Sequence, residues 1–181
     1  EDTPAHRTFP GGPATVEYRE SLYVGYRYYD TVGQPVLFPF GHGLSYTRFA
    51  YRDLALSRPE GADGHSLIIT FKVKNVGKVA GQEVAQLYVR DVESTAFRPA
   101  KELKGFAKIT LQPGEETEVT LALDRRAFAY YDPQLQNWRV EAGTFEILVG
   151  ASSQDIRLSA TVKMPDTHPA APAVCTAPPL Y

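Results

Sequence analysis

Leu67, Ile69, Phe71 and Val73 alternate with Ile68, Thr70, Lys72 and Lys74, and the run breaks at Asn75-Val76-Gly77. Alternation at period two puts successive side chains on opposite faces of an extended strand, so this segment reads as a strand with one face toward a core. The pattern recurs from Val84 to Val89, and briefly at Lys108-Ile109-Thr110-Leu111, where Pro113-Gly114 ends it. It returns at Val119, Leu121 and Leu123, at Phe145, Ile147 and Val149, and at Ile156, Leu158, Ala160 and Val162, while Phe49 to Leu56 opens the series. About seven short strands separated by turn signals, with no helix-period stretch of any length, predict an all-β antiparallel sandwich over residues 49–164. Its expected core is Leu67, Ile69, Phe71, Val73, Val119, Leu121, Leu123, Phe145, Ile147 and Val149.

The flanks are built differently. Residues 1–48 hold Tyr18, Tyr23, Tyr26, Tyr28, Tyr29, Phe38, Phe40 and Tyr46 without clean periodicity. Gly11-Gly12-Pro13, Val32-Gly33-Gln34-Pro35 and Pro39-Phe40-Gly41-His42-Gly43 are turn or loop signals. Such a stretch has aromatics to bury and no regular element to bury them with, so it reads as an irregular arm that wraps something else. Residues 165–181 carry Pro165, Pro169, Pro172, Pro178 and Pro179 with alanines between them. Proline donates no backbone hydrogen bond, so an extended, disordered tail is expected.

Composition narrows the function classes. The formal net charge is −2 over 181 residues, and no basic stripe could neutralise phosphates, which argues against nucleic acid as a partner. Cys175 is the single cysteine, so no internal disulfide or CxxC zinc spacing exists. His6, His65 and His168 are scattered and form no metal set, and no cofactor is expected. No run approaches the ~18 apolar residues that span a bilayer, so a soluble chain without a membrane partner is expected, its compartment left open. The start at Glu1-Asp2-Thr3-Pro4 has no basic or apolar leader and reads as the interior of a longer protein. At roughly 115 residues the sandwich has immunoglobulin-like size, and the missing cysteine pair favours the fibronectin III-like branch.

Two runs of the arm carry a resemblance. Tyr23-Val24-Gly25-Tyr26-Arg27-Tyr28-Tyr29-Asp30 and Phe38-Pro39-Phe40-Gly41-His42-Gly43-Leu44-Ser45-Tyr46-Thr47 together resemble the junction, in family 3 β-glucosidases, between the second α/β domain and the fibronectin III-like domain. Downstream, Val73-Lys74-Asn75-Val76-Gly77, Gly81 to Val89, Lys101-Glu102-Leu103-Lys104-Gly105-Phe106 and Gly143 to Gly150 are similar to that family's later strands, in the right order. Ser21 after Glu20 departs from the glycine that the resemblance leads one to expect, at a turn where glycine would suit a tight backbone. The resemblance implies a retaining, exo-acting glycosidase that cleaves terminal non-reducing β-glycosidic bonds. Its nucleophilic aspartate and acid/base glutamate would both precede Glu1. It also implies that the parent's catalytic α/β domains are the partner that packs on the arm.

The carboxylates within the chain do not suggest a second catalytic pair. Retention requires two carboxyl groups about 5 Å apart. Glu115 and Glu116 are adjacent on a turn and read as solvated charges, while Glu20 and Asp30 read as capping or pairing residues, with Arg27 as partner. No catalytic, cofactor-binding or metal residue is assigned. His42, between two glycines, has two readings, a sugar contact at the edge of an active-site cleft and a satisfied histidine in an unusual turn, of which the second is preferred. Trp138 and Tyr130-Tyr131 flank what reads as a strand-connecting loop, and are expected to cover one end of the sandwich rather than to form a sugar platform. The expected function is that of a non-catalytic, stabilising fibronectin III-like portion of a hydrolase, with a carbohydrate- or protein-binding module as the alternative.

Overall fold

The structure, a computed structural model, describes residues 3–6, 8–61 and 64–168. Cys175 and positions 169–181 of the expected tail lie outside the described residues. Among those described, nine strands and one α-helix follow in the order α1 (Tyr26–Val32), β1 (Phe49–Ser57), β2 (Leu67–Asn75), β3 (Gly81–Asp91), β4 (Glu102–Leu111), β5 (Glu116–Leu123), β6 (Tyr130–Asp132), β7 (Asn137–Arg139), β8 (Gly143–Gly150) and β9 (Ile156–Met164).

Two antiparallel sheets face each other. One has the order β1-β2-β5 and the other β4-β3-β8-β9, with β6-β7 a separate hairpin. The period-two residues set the register: Ile69 pairs with Leu121 and Phe71 with Val119 in the first sheet, and Leu87 with Val149 and Val89 with Ile147 in the second. Each pair puts two apolar side chains on one face, and a slip by one residue would turn the whole set toward water. Of the ten residues expected in the core, nine are buried, and Leu121 is partly buried against them. Phe128, between β5 and β6, joins the core edge-on to Phe145 at 5.4 Å.

Several features differ from the sequence reading. The strand read at 108–111 runs from Glu102 to Leu111. Gly105, Ala107, Ile109 and Leu111 face the core, but Gly105 supplies no apolar side chain and Phe106 stands exposed on the outer face, so the alternation is masked. The strand-connecting loop read over 132–137 is the turn of a hairpin, its ends Asp132 and Asn137 already paired and Tyr131 paired to Trp138. Residues 165–168, expected to start the tail, are tied to β7: Arg139 Nη2 donates to Asp166 Oδ2 at 2.7 Å, and Val140 N donates to Thr167 Oγ1 at 2.9 Å. The arm, read as irregular throughout, contains α1. Apart from Arg27 its residues are weak helix formers, and at seven residues it is too short to hold by propensity. Gly33 at its end takes the left-handed conformation (φ 67°) and returns its N–H to Tyr29 O. What holds the helix is what it packs on.

Candidate functional site

The arm lies on the outer face of the four-stranded sheet. Because Ala85, Leu87 and Val89 point into the core, Gln86 and Tyr88 point outward, yet both are buried. The arm covers them. Tyr88 Oη donates to Gln86 Oε1 at 2.6 Å, and Gln86 Nε2 donates to Gly41 O at 3.2 Å and to Ala151 O at 2.7 Å. The Tyr26 ring stacks on Phe40 at 4.7 Å and meets Tyr88 edge-on at 6.0 Å. Ser153 N donates to Phe40 O at 2.8 Å. Gly41 is required here: it has φ 79°, and a Cβ on it would collide with the Gln86 carboxamide.

The second contact is with the edge of β4. Leu103 N donates to Tyr26 Oη at 2.8 Å and Ala100 N donates to Thr31 Oγ1 at 2.9 Å, so side chains of α1 satisfy backbone groups of the strand and its approach. Asp30 pairs with Lys101 at 3.0 Å and accepts from Gln154 Nε2 at 3.1 Å. Arg27 pairs with Glu102 at 3.7 Å rather than with Asp30 or Glu20. Glu102 also meets Arg98 at 3.2 Å and Lys104 at 3.1 Å. Burial pushes the Glu102 carboxyl up, but Lys104 and Arg98 together outweigh it and hold the group below the usual carboxylate range.

A third node closes the arm onto the sandwich. Asn75, fully buried, accepts from Thr47 Oγ1 at 2.6 Å and from Gly77 N at 3.0 Å through Oδ1, and donates through Nδ2 to Val79 O at 2.8 Å and Leu111 O at 3.0 Å. All four of its hydrogen-bonding positions are filled. From sequence, Asn75 was only the residue that ends a strand.

Much of the rest of the arm is bare. Phe9, Tyr18, Leu37, Phe38, Leu44 and Tyr46 are exposed, Leu44 to 93% and Tyr46 to 101%. His42 is exposed too, its ring stacked on Phe38 at 5.4 Å and its N–H given to Pro39 O. Gly43 has an ordinary φ and open space around it, so Gly41 alone shapes this turn. Ser21, where the resemblance calls for glycine, takes φ 51°, the left-handed region that glycine adopts freely.

The carboxylates of the arm and of the turn before β5 are dispersed. Glu17 pairs with Arg19, Asp30 with Lys101, and Glu116 accepts two hydrogen bonds from Arg52, while Glu115 accepts from Gln112 N. A pair the sequence did not suggest, Glu83 and Asp155, lines a polar cleft of about 410 Å³ with His42 and Arg157. Burial raises Glu83 above the usual carboxylate range, and the hydrogen bond from Arg157 lowers Asp155 below it. Arg157 binds between them, 2.8 Å from Asp155 and 4.0 Å from Glu83, while Tyr51 Oη donates to Glu83 at 2.8 Å. Both carboxylates are thus engaged in joining β1, β3 and β9. On the hairpin, Tyr131 and Trp138 are partly exposed and edge-to-face at 5.6 Å, and the Arg126 guanidinium sits 3.4 Å over the indole. Among the described residues, no group of three or more His, Cys, Asp and Glu side chains is placed to hold a metal ion, and no helix is long and apolar enough to cross a membrane.

Comparison with known proteins fits this geometry. Residues 83–153 match the fibronectin type III-like domain family. The chain is similar to thermostable β-glucosidase B of Acetivibrio thermocellus, 55% identical over 91% of this chain and 22% of that protein. It is also similar to β-glucosidase BoGH3A of Bacteroides ovatus, 44% identical over 89% of this chain and 22% of that protein. The crystal structure of a GH3 β-glucosidase from Bifidobacterium adolescentis superposes with a TM-score of 0.89 at 39% identity, covering 97% of this chain and 26% of that one. The chain thus spans about a fifth of the length of the curated relatives it matches, and the likeness takes in the arm as well as the sandwich. It corresponds to the C-terminal, fibronectin type III-like portion of family 3 β-glucosidases.

Proposed function

We propose that the chain is the buttress of a retaining β-glucosidase that cleaves terminal, non-reducing β-glycosidic bonds. In this reading residues 1–48 form the joint to the catalytic α/β domains, 49–164 the fibronectin type III-like domain, and 165–181 a tail whose first residues are tied to the sandwich. The reactive carboxylates belong to the parent's α/β domains, and no residue of this chain takes a catalytic, cofactor or metal role.

The observation that carries the reading is the two-sidedness of the arm. One side is fixed to the sheet by Tyr26, Asp30, Thr31 and Gly41. The other holds out Phe9, Tyr18, Leu37, Phe38, Leu44 and Tyr46. An aromatic side chain buries ~150–250 Å² when covered, and six large apolar side chains this exposed within one 48-residue stretch exceed the scattered singles that are ordinary on a soluble surface. A structural joint needs such a surface, and an enzyme that is about five times longer supplies the area to cover it.

The test is complementation. A family 3 β-glucosidase from which the equivalent segment has been removed should regain hydrolysis of an aryl β-glucoside when mixed with this chain. The double change Leu44→Asp and Tyr46→Asp should abolish the rescue while leaving the chain's own melting temperature nearly unchanged. Hydrolysis by the chain alone, or the absence of rescue by the unaltered chain, would overturn the reading.

A carbohydrate-binding module is the second reading, drawn from Tyr131 and Trp138. Arg126 occupies one face of the indole that a sugar ring would need, which ranks this reading below the first. Retardation of the chain in gels containing soluble glucans, lost on Trp138→Ala, would reverse that order.

A further inference from the structure

Strands β3 and β4 are antiparallel neighbours in one sheet, and a hairpin turn of a few residues would join them. The chain takes residues 92–101 instead. That connection is fixed along its length by buried polar contacts. The Glu141 carboxylate, itself buried, accepts from Ser94 Oγ at 3.2 Å, from Thr95 N at 3.1 Å and from Thr95 Oγ1. Arg98, with 9% of its side chain accessible, reaches Asp91 at 3.3 Å, Glu102 at 3.2 Å and the Phe128 carbonyl at 2.9 Å. Pro99 is buried, and Ala100 N is held by Thr31 of α1.

Between the Glu141 and Arg98 anchor points stands Phe97, 83% exposed. Its ring meets the Tyr23 ring of the arm at 4.7 Å, and Leu22 and Val24 on either side of Tyr23 are exposed as well, to 54% and 50%. Charged groups are costly to bury even when paired. A connection between neighbouring strands needs none of them, and Phe97 adds nothing to the core. What the fixing achieves is that Phe97 is held in one place before anything touches it. A preorganised side chain loses little entropy on being bound, and aromatic residues are enriched where interfaces are buried. The position of the patch indicates what covers it. In the buttress reading, the chain ahead of Leu22 leads to the catalytic domains, which adjoin Tyr23 and with it Phe97.

We propose that the joint is not confined to the arm: Phe97, presented by the β3–β4 connection of the sandwich, inserts into an apolar pocket of the parent's catalytic α/β domains, with Leu22 and Val24 at its rim. The proposal rests on the buttress reading and adds to it a contact made by the sandwich itself. Arm and sandwich then grip the catalytic domains from two separate parts of the sequence, which fixes the orientation of the sandwich as well as its attachment.

The experiment compares the chain alone with the chain in place. A chimera carries this chain instead of the matching C-terminal portion of the Acetivibrio thermocellus enzyme, and Phe97→Ala is made both in the chimera and in the isolated chain. In the chimera, the half-life of aryl β-glucoside hydrolysis at a fixed, elevated temperature should fall about tenfold, because losing an aromatic anchor from an interface is worth at least such a factor. The isolated chain should keep its melting temperature within about 2 °C, as for other exposed side chains. Amide exchange at residues 96–98 should be slower in the chimera than in the isolated chain by about tenfold or more. An inactive chimera would overturn the buttress reading and this contact with it. An active chimera whose half-life ignores Phe97, or an isolated chain destabilised as much as the chimera, would overturn the contact alone and leave the buttress standing. Concentration-dependent protection of residues 96–98 in the isolated chain would give the surface to a second copy, and that too would overturn the assignment.

Discussion

The sandwich and the arm cover apolar surface in two different ways. In the sandwich, one alternating pattern serves strand, register and core at once, and the interior is dry: Ile69, Phe71, Val73, Leu87, Phe145, Ile147 and Val149 are all essentially inaccessible. In the arm, aromatic residues follow no period. They are placed by individual polar contacts, Tyr26 Oη, Thr31 Oγ1, Asp30 and the carbonyl of Gly41, against a sheet face that would otherwise be wet. The first mode yields a unit that carries its own stability. The second yields one that depends on the surface below it and leaves a further surface unmet.

The largest expected effect lies in the sandwich. Phe71→Ala or Phe145→Ala should cost about 3–5 kcal/mol, a large share of the ~5–15 kcal/mol available to a domain. Urea unfolding followed by circular dichroism would measure it. A loss below about 1 kcal/mol at both sites would mean that the sheets do not share one packed interior.

This contrast explains what could be read from the sequence. Strands whose inward positions all carry apolar side chains were visible, β2 and β8 most plainly. The alternation showed β4 only over its last residues, because Gly105 and Phe106 break the pattern although the backbone does not, and its first half entered only through the resemblance. The hairpin β6–β7 was hidden because its strands are three residues each, too short for a period. The helix was hidden because its stabilising partners, Leu103 N and Ala100 N, lie about seventy residues downstream and no local signal encodes them. In the arm, the resemblance located the segment but not its partners: Arg27 meets Glu102, a residue that entered the sequence reading only within a strand motif.

Next in size is the node that joins the two regions. Asn75→Ala removes four hydrogen bonds and leaves the carbonyls of Val79 and Leu111 and the Thr47 hydroxyl buried without their partner. The expected cost is about 2–3 kcal/mol. Asn75→Asp should be at least as damaging, because a carboxylate would face two carbonyl oxygens. A thermal melt in which both variants match the parent would remove Asn75 from the joint.

Tyr26→Phe should have a smaller and more local effect. It deletes the acceptor for Leu103 N, for which a net cost of about 0.5–1.5 kcal/mol is expected. Amide hydrogen exchange should quicken over residues 25–33 and at Leu103 while β2 and β8 keep their protection, because sub-global opening follows the local contacts. Equal quickening in both regions would show that arm and sandwich open as one unit, and the comparison drawn above would fail.

The smallest effect is one of sign, and it divides two carboxylates. Glu102 lies at the seam under Arg27, and despite its burial Lys104 and Arg98 hold it below the usual carboxylate range. Its folded-state pKa is lower than its unfolded one, so it contributes stability above the ordinary carboxylate pKa, and that contribution is lost as pH falls through the depressed value. Glu83, on the sandwich flank, is raised by burial in spite of the Tyr51 hydroxyl and Arg157 beside it. Its contribution has the opposite course: it is complete below the ordinary carboxylate pKa and lost as pH rises through the elevated value. Neutral glutamine at each site removes the titration and keeps an oxygen acceptor. Relative to the parent chain, Glu102→Gln should therefore be less stable at neutral pH, with the deficit closing in acid. Glu83→Gln should gain on the parent as pH rises from acid toward neutral, since the charge it lacks no longer has to be buried beside Tyr51. Denaturation midpoints measured for the three proteins from pH 3 to pH 8 would give two difference curves. Curves of the same slope would mean that the two carboxylates sit in equivalent surroundings, and that the polar seam under the arm is no different electrostatically from the flank of the sandwich.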